Sequence, residues 1–235
     1  MPGNQPMNRL RGSSIVLVLG LALAAPAWAQ TFQYHPEIDA YRSLNDDFRL
    51  NFQVKENREN GGPVQTELGP SLDFYLKPLD KLVESMAADL DQSKSRPLML
   101  SVGYRYLPTP GEPSENRILL EATPRLPLAW GLVAADRNRF ELRFIAGDFF
   151  WRYRNQISVE RKARVHSYAF IPYAQVEFYY SSQYDKWCST AVNAGSQFPI
   201  GKHVGLDFYY EHQNNTNHNP NQQINAFGSI LNLFF

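Results

Sequence analysis

The side chains best equipped for chemistry cluster near the end of the chain. His212 stands beside Glu211, with Asp207 upstream and the hydroxyls of Ser181 and Ser182 further back. A hydrolase needs a nucleophile, a base within hydrogen-bond reach of it and a third group to orient the base. On a strand, however, neighbouring residues point to opposite sides, so Glu211 and His212 cannot share a face. The plainer expectation for His212 is a histidine at a strand end or membrane interface. His203, His212 and His218 fall at no metal-ligand spacing, and Cys188 is the single cysteine. No zinc or iron site and no intrachain disulfide is therefore expected. The sequence holds no Gly-rich phosphate loop and no Gly-x-Ser-x-Gly elbow. These readings predict a protein that is not an enzyme and carries no cofactor, with Cys188 a small apolar strand residue.

The elements that would position such residues have a period of two, the strand period. Phe48, Leu50, Phe52 and Val54 alternate with Arg49, Asn51, Gln53 and Lys55. Leu68, Leu72, Phe74 and Leu76 mark a second strand, Leu98 to Leu107 a third and Arg117 to Leu126 a fourth. Phe140, Leu142 and Phe144 alternate with Arg139, Glu141 and Arg143. Phe149, Trp151, Tyr153, Ile157 and Val159 do the same against Arg152, Arg154, Gln156 and Glu160. Residues 167–180, 187–198, 203–213 and 222–235 complete a count of about ten, separated by turn-rich segments. Leu79, Leu82, Val83, Met86 and Leu90 break the rhythm with helical spacing, which predicts a short amphipathic helix over 79–90, packed on a rim or covering an opening.

The 235 residues carry 23 Lys+Arg and 23 Asp+Glu. The one long apolar run, Ile15 to Ala25, follows Arg9 and Arg11 and precedes Ala27-Trp28-Ala29. It is too short to span a bilayer and has the anatomy of a signal peptide cleaved after Ala29, leaving 30–235 as a single domain. Cleavage removes two bases and no acid, so neither nucleic acid nor an acidic partner is implied. Helical membrane spans are excluded for the rest of the chain, because none of it offers roughly 18 consecutive apolar residues.

About ten strands, several of nine residues or more, suit an antiparallel transmembrane β-barrel, whose strands need roughly 9–11 residues to cross at a tilt. An even count would return both termini to the periplasmic side. Phe227, Leu231, Leu233 and Phe235 share one parity and end the chain. They read as the terminal-strand signal by which the barrel-assembly machinery would recognise an outer-membrane protein. A lipid-facing Arg near the midplane costs about 2–4 kcal/mol, which predicts that Arg139, Arg143, Arg152 and Arg154 face the lumen. Glu141, Glu160, Glu177, Asp207 and Glu211 would supply the opposite charge there. Phe140, Leu142, Phe144, Trp151, Tyr153, Phe178, Phe208 and Tyr210 would then meet lipid.

Residues 136–143 (Asp-Arg-Asn-Arg-Phe-Glu-Leu-Arg), 151–155 (Trp-Arg-Tyr-Arg-Asn), Pro172-Tyr173 and Glu177-Phe178-Tyr179 resemble the bacterial family known as domain of unknown function 2490. Gln156 stands where an Arg is expected. The resemblance implies a predicted outer-membrane β-barrel and carries no catalytic residues across. The expected function is an integral outer-membrane barrel with a charged, largely filled lumen and a structural or narrow-pore role. Its surroundings would be outer-membrane lipid and lipopolysaccharide, whose phosphates Arg152 and Arg154 could meet near the outer rim. A lipid-processing hydrolase built around His212, and a soluble periplasmic barrel holding an apolar ligand, are the alternatives.

Overall fold

In a computed structural model that describes residues 30–86 and 89–235, the chain closes into a β-barrel. The signal-peptide reading of residues 1–29 lies outside the described residues. The strands are β1 Gln30–Ser43, β2 Phe48–Glu59, β3 Gly62–Tyr75, β4 Leu98–Leu107, β5 Glu115–Pro127, β6 Leu132–Ile145, β7 Asp148–Arg161, β8 Ala163–Val165, β9 Tyr168–Ser181, β10 Lys186–Ile200, β11 Val204–Asn215 and β12 Gln222–Phe234. Each pairs with its neighbour, except that β8 is a short extension on β9, and β7 pairs directly with β9. Eleven strands thus form the wall, and among the described residues its closure leaves a free edge only on the short β8.

The ten strands read from the alternation are β2–β7 and β9–β12. The eleventh, β1, inserts between β2 and β12. It runs parallel to β12, with Glu37 opposite Ile230 and Tyr41 opposite Phe234, and antiparallel to β2. Consequently Gln30 and Phe235 lie at opposite mouths, which an even antiparallel count would not give. Phe32, Tyr34, Ile38 and Ala40 do alternate with Gln33, His35, Glu37, Asp39 and Tyr41. Pro36 obscures the pattern, since a proline within a run argues against an interior strand. The structure accommodates it by leaving His35 and Pro36 out of the pairing with β2.

The two faces of the wall are chemically opposite. Outward-pointing Phe32, Ile38, Val102, Leu120, Ile157 and Val192 are exposed, whereas Arg105, Arg117, Glu141, Glu177, Asn193 and Asp207 on the inner face are buried. Aromatic rings gather near the mouth opposite the C-terminus, where Phe140 stacks on Trp151 and Trp151 on Tyr180, each at 5.2 Å. Gly228 on β12 faces inward, and a Cβ there would lie 2.0 Å from the Tyr209 ring. The missing side chain is what lets Tyr209 lie across the inner surface of β12.

Between β3 and β4 the chain crosses the C-terminal mouth. The helix is shorter than its sequence pattern predicts: α1 spans Asp80–Ser85, and Leu90 lies beyond it. Leu82 and Met86 pack on the inward-facing Val133. A 3-10 turn, Gln92–Ser95, follows. Here Lys94 reaches Glu160 at 2.6 Å and Gln197 at 2.7 Å, Asp91 meets Arg49 at 2.5 Å, and Arg125 donates to the Ser93 carbonyl at 3.2 Å. Contacts to β2, β5, β7 and β10 thus tie this segment across the mouth as a plug.

Candidate functional site

The inner face of β4 to β9 is built from arginines bridged by carboxylates. Several arginines face one another directly across the ladder: Arg117 opposite Arg143, and Arg139 opposite Arg154. Like charges in that position repel unless an acid intervenes. Glu115 intervenes for the first pair, taking both arms of Arg143 at 2.6 and 2.8 Å and Nε of Arg117 at 2.9 Å. Glu141, wholly buried, binds Arg152 at 2.6 Å and Arg154 at 3.2 Å, with Arg117 at 3.6 Å. Glu177 receives two donors from Arg154, at 2.8 and 3.0 Å, and one from Arg137 at 2.9 Å. The Tyr179 hydroxyl donates to Glu177 at 2.8 Å, and its ring lies 4.7 Å from the Arg154 guanidinium carbon. Arg139 completes the set with Glu121 at 2.7 Å. Forked arginine–carboxylate bonds of this kind fix geometry as well as charge.

The structure brings Glu141, Arg143, Arg152, Arg154 and Glu177 into one network and sets Arg139 beside it, paired among the described residues with Glu121 alone. Glu160 instead pairs with Lys94 of the plug, and Asp207 accepts from the Tyr173 hydroxyl at 2.9 Å. Glu211 lies opposite Asn193 on the inner face. Because Arg152 and Arg154 point inward onto Glu141 and Glu177, they are not presented to lipopolysaccharide phosphates. Glu67, Arg105, Glu115, Arg117, Glu121 and Arg137 also belong to the interior. The parity of Glu115, Arg117 and Glu121 against Ile118 and Leu120 would have revealed three of them. Lys94 had no such signal, since it sits on a turn whose place depends on contacts far away in sequence.

A cavity of about 510 Å³ lies within the barrel, lined from Asn57 and Gln213 toward one mouth to Asp91 and Lys94 at the other. Its two sides differ in charge. Arg105, Arg117, Arg125, Arg137, Arg139, Arg152 and Arg154 line one side; Glu37, Asp39, Asp207 and Glu211 line the other, with Lys55. Lys55 stands 4.0 Å from Glu37.

The hydrolase set is not assembled. His212 bonds Asn225 Oδ1 at 2.9 Å through Nδ1, and sits on the outer face with Tyr210 and Asn225 while Glu211 faces inward. Ser181 is buried, and Ser182 accepts from the Trp151 amide at 2.8 Å in a turn. His203 bonds the Phe234 carbonyl at 2.8 Å. Among the described residues no group of three or more His, Cys, Asp or Glu is placed to hold a metal ion. Cys188 is free and packs with Tyr179 and Ala191, at a bulge in the β9–β10 ladder.

Two features of the outer face complete the picture. Phe227, Leu231, Leu233 and Phe235 share the outward side of the last strand, yet its backbone is paired on both flanks, by β11 and by β1. Phe235 itself donates to the Tyr41 carbonyl at 2.9 Å. Midway along β6 and β7 the apolar surface is interrupted: Asn155 donates to Asp136 at 2.6 Å and to Asn138 at 3.2 Å, and the Tyr153 hydroxyl donates to Asn138 at 2.5 Å. The alternation places these four residues outward, opposite in phase to Arg137, Arg139 and Arg154.

No curated protein matches the chain. A solved structure described as a bacterial polysaccharide outer membrane secretin aligns at a TM-score of 0.46 and 10% identity. The alignment covers 74% of this chain and 60% of that one, so the chain spans about 60% of that structure's length. A family model described as "Protein of unknown function (DUF2490)" matches residues 85–224, more than half of the sequence and the stretch that holds the arginine–carboxylate network, and the chain belongs to that family.

Proposed function

We propose that the protein is an integral outer-membrane β-barrel whose polar interior forms a narrow, partly plugged passage for small polar solutes, without catalysis. The observation that carries this reading is the inversion of polarity. Most of the large hydrophobic side chains of the strands point outward, and most of the charged ones lie inside. In water such a wall would leave apolar surface exposed around its whole circumference, far beyond the few hundred Å² that soluble monomers tolerate. In a bilayer the same surface is the favourable one, and the closed ladder satisfies the backbone. The polar interior also argues against a soluble barrel holding an apolar ligand, because the cavity lining is predominantly polar and charged, with only a few apolar side chains such as Met99, Leu119 and Ile230.

The segment 79–96 and the arginine–carboxylate bridges narrow the lumen, which supports a slender passage over a wide porin channel. The outward Phe227, Leu231, Leu233 and Phe235 fit recognition by the barrel-assembly machinery, and the apolar belt fits outer-membrane lipid. Fractionation followed by electrophoresis of heated and unheated protein tests the reading. The expected result is an outer-membrane band whose mobility shifts on boiling, with small conductance steps in planar bilayers. Release by osmotic shock, with no mobility shift, would refute it.

A further inference from the structure

On the acidic side of the cavity Glu37 has Lys55 and Gln53 as partners, and Tyr41 and Tyr173 donate to Asp39 and Asp207, but these neutral donors leave three of the four acids without a paired cation. Asp207 on β11, Ile230 on β12 and Glu37 on β1 share one rung of the wall. At the spacing of paired strands, two carboxylates separated by one strand stand about 10 Å apart. Asp39 follows Glu37 on the same face, about 6.7 Å along the strand, and Glu211 lies two inward positions beyond Asp207. Among the described residues, Asp39, Asp207 and Glu211 have no counter-ion within salt-bridge distance, in contrast to the bridged acids of the opposite wall.

A second observation is independent of those carboxylates. His35 Nε2 meets the Gln33 amide oxygen at 3.0 Å and must donate to it, which leaves Nδ1 an acceptor. That Nδ1 is buried with no hydrogen-bond partner, and so is Oδ1 of Asn193. Both side chains line the cavity, and they are only 4% and 3% exposed. Asp39, 6% exposed, adds a third orphaned acceptor, Oδ1. All three want a donor. A buried polar group without a partner is costly, and the deficit names the chemistry of what would relieve it.

We propose that this side of the lumen is a binding site for an organic polyammonium cation, a linear di- or polyamine, held between β1 and β11 by Glu37, Asp39, Asp207 and Glu211, with His35 and Asn193 as neutral acceptors. The proposal deepens the reading of the barrel as a solute passage and rests on it. An ammonium group brings three donors and no acceptor, which matches the orphaned atoms in kind. The spread of the acids over two strands separated by β12 suits charges distributed along a chain better than one compact metal ion. The arginines opposite repel a cation and confine it to this wall.

The test is calorimetric titration of the purified, detergent-solubilised full-length barrel with spermidine, with glutarate as a flexible dianion control. Variants Asp39→Asn and Asp207→Asn keep side-chain size, and their heat-shifted gel mobility verifies that each barrel is closed. Spermidine should bind the wild type, glutarate should not, and each substitution should weaken binding about tenfold or more, the effect of losing a charged hydrogen bond. Absence of spermidine binding, equal binding of glutarate, or affinity unchanged in both variants overturns the proposal. If the wild type shows no heat-dependent mobility, it is the barrel reading that has failed, and the two failures are distinguishable.

Discussion

Glu141 is the hub of the interior network, and replacing it by glutamine changes charge while keeping shape. Removing one partner of a buried ion pair costs about 3–5 kcal/mol, because the charge left behind has lost its compensation. Three arginines surround Glu141, but they are not equally dependent on it. Arg117 keeps Glu115 at 2.9 Å, and Arg154 keeps its forked bond to Glu177. Arg152 has no other ion pair among the described residues, and its side chain is 19% exposed. The expected loss for Glu141→Gln is therefore near the lower end, about 3 kcal/mol. Combining it with Arg152→Met removes the stranded charge and should restore about 2 kcal/mol, a non-additivity typical of contacting residues. Urea unfolding in detergent or lipid vesicles, followed by tryptophan fluorescence and gel mobility together, measures both. A Glu141→Gln loss below about 0.5 kcal/mol would mean that interior water screens the network as it screens surface pairs, which refutes a low-dielectric, tightly paired interior.

By the same reasoning Glu177→Ala, which strands Arg137 and leaves Arg154 only its single bond to Glu141, should destabilise more than Arg152→Ala, which leaves Glu141 two arginines; equal midpoints in urea would contradict that ranking. In the plug, burial alone would raise the Asp91 carboxyl, but Arg49 and Lys94 hold it well below the ordinary carboxylate range. Its contribution is thus present above about pH 4, the ordinary aspartate value, and lost as the pH falls through the lowered one. Proteolysis within 79–96 should rise in acid for the wild type and rise less in Asp91→Asn, where only the Lys94 pairs with Asp89 and Glu160 remain to be protonated; identical acid profiles would count against the plug's anchoring through Asp91. Cys188, only 7% exposed, should resist maleimide in the closed barrel and react after boiling; rapid labelling of the unheated protein would contradict its burial. On the outer face, Asp136→Leu should stabilise the bilayer-inserted protein by about 1–2 kcal/mol, since an acid facing lipid costs less than the 2–4 kcal/mol of an arginine at the midplane; a loss of stability would show that its bond to Asn155 outweighs the cost of the lipid contact.

Much of this architecture is local and could be read from residue order. A strand turns successive side chains to opposite faces, so Phe140-Glu141-Leu142-Arg143 announces both its conformation and which side each residue takes, whatever it pairs with. The same logic puts His212 and Glu211 on opposite faces. Where local signals conflict, the reading fails: Pro36 masks the alternation of β1, and only the pairing with β12 on one side and β2 on the other makes that segment the eleventh strand. The helical spacing of 79–90 predicts more helix than forms, because contacts to four distant strands shape the plug more strongly than a short segment's own propensity. Lys94 between Asp89 and Glu160, Glu141 among three arginines, and the unpaired acceptors of His35, Asp39 and Asn193 belong to the closed barrel alone. Periodicity fixes the side of a strand on which a residue lies, but the partner it meets there depends on register and closure, which join residues tens to hundreds of positions apart.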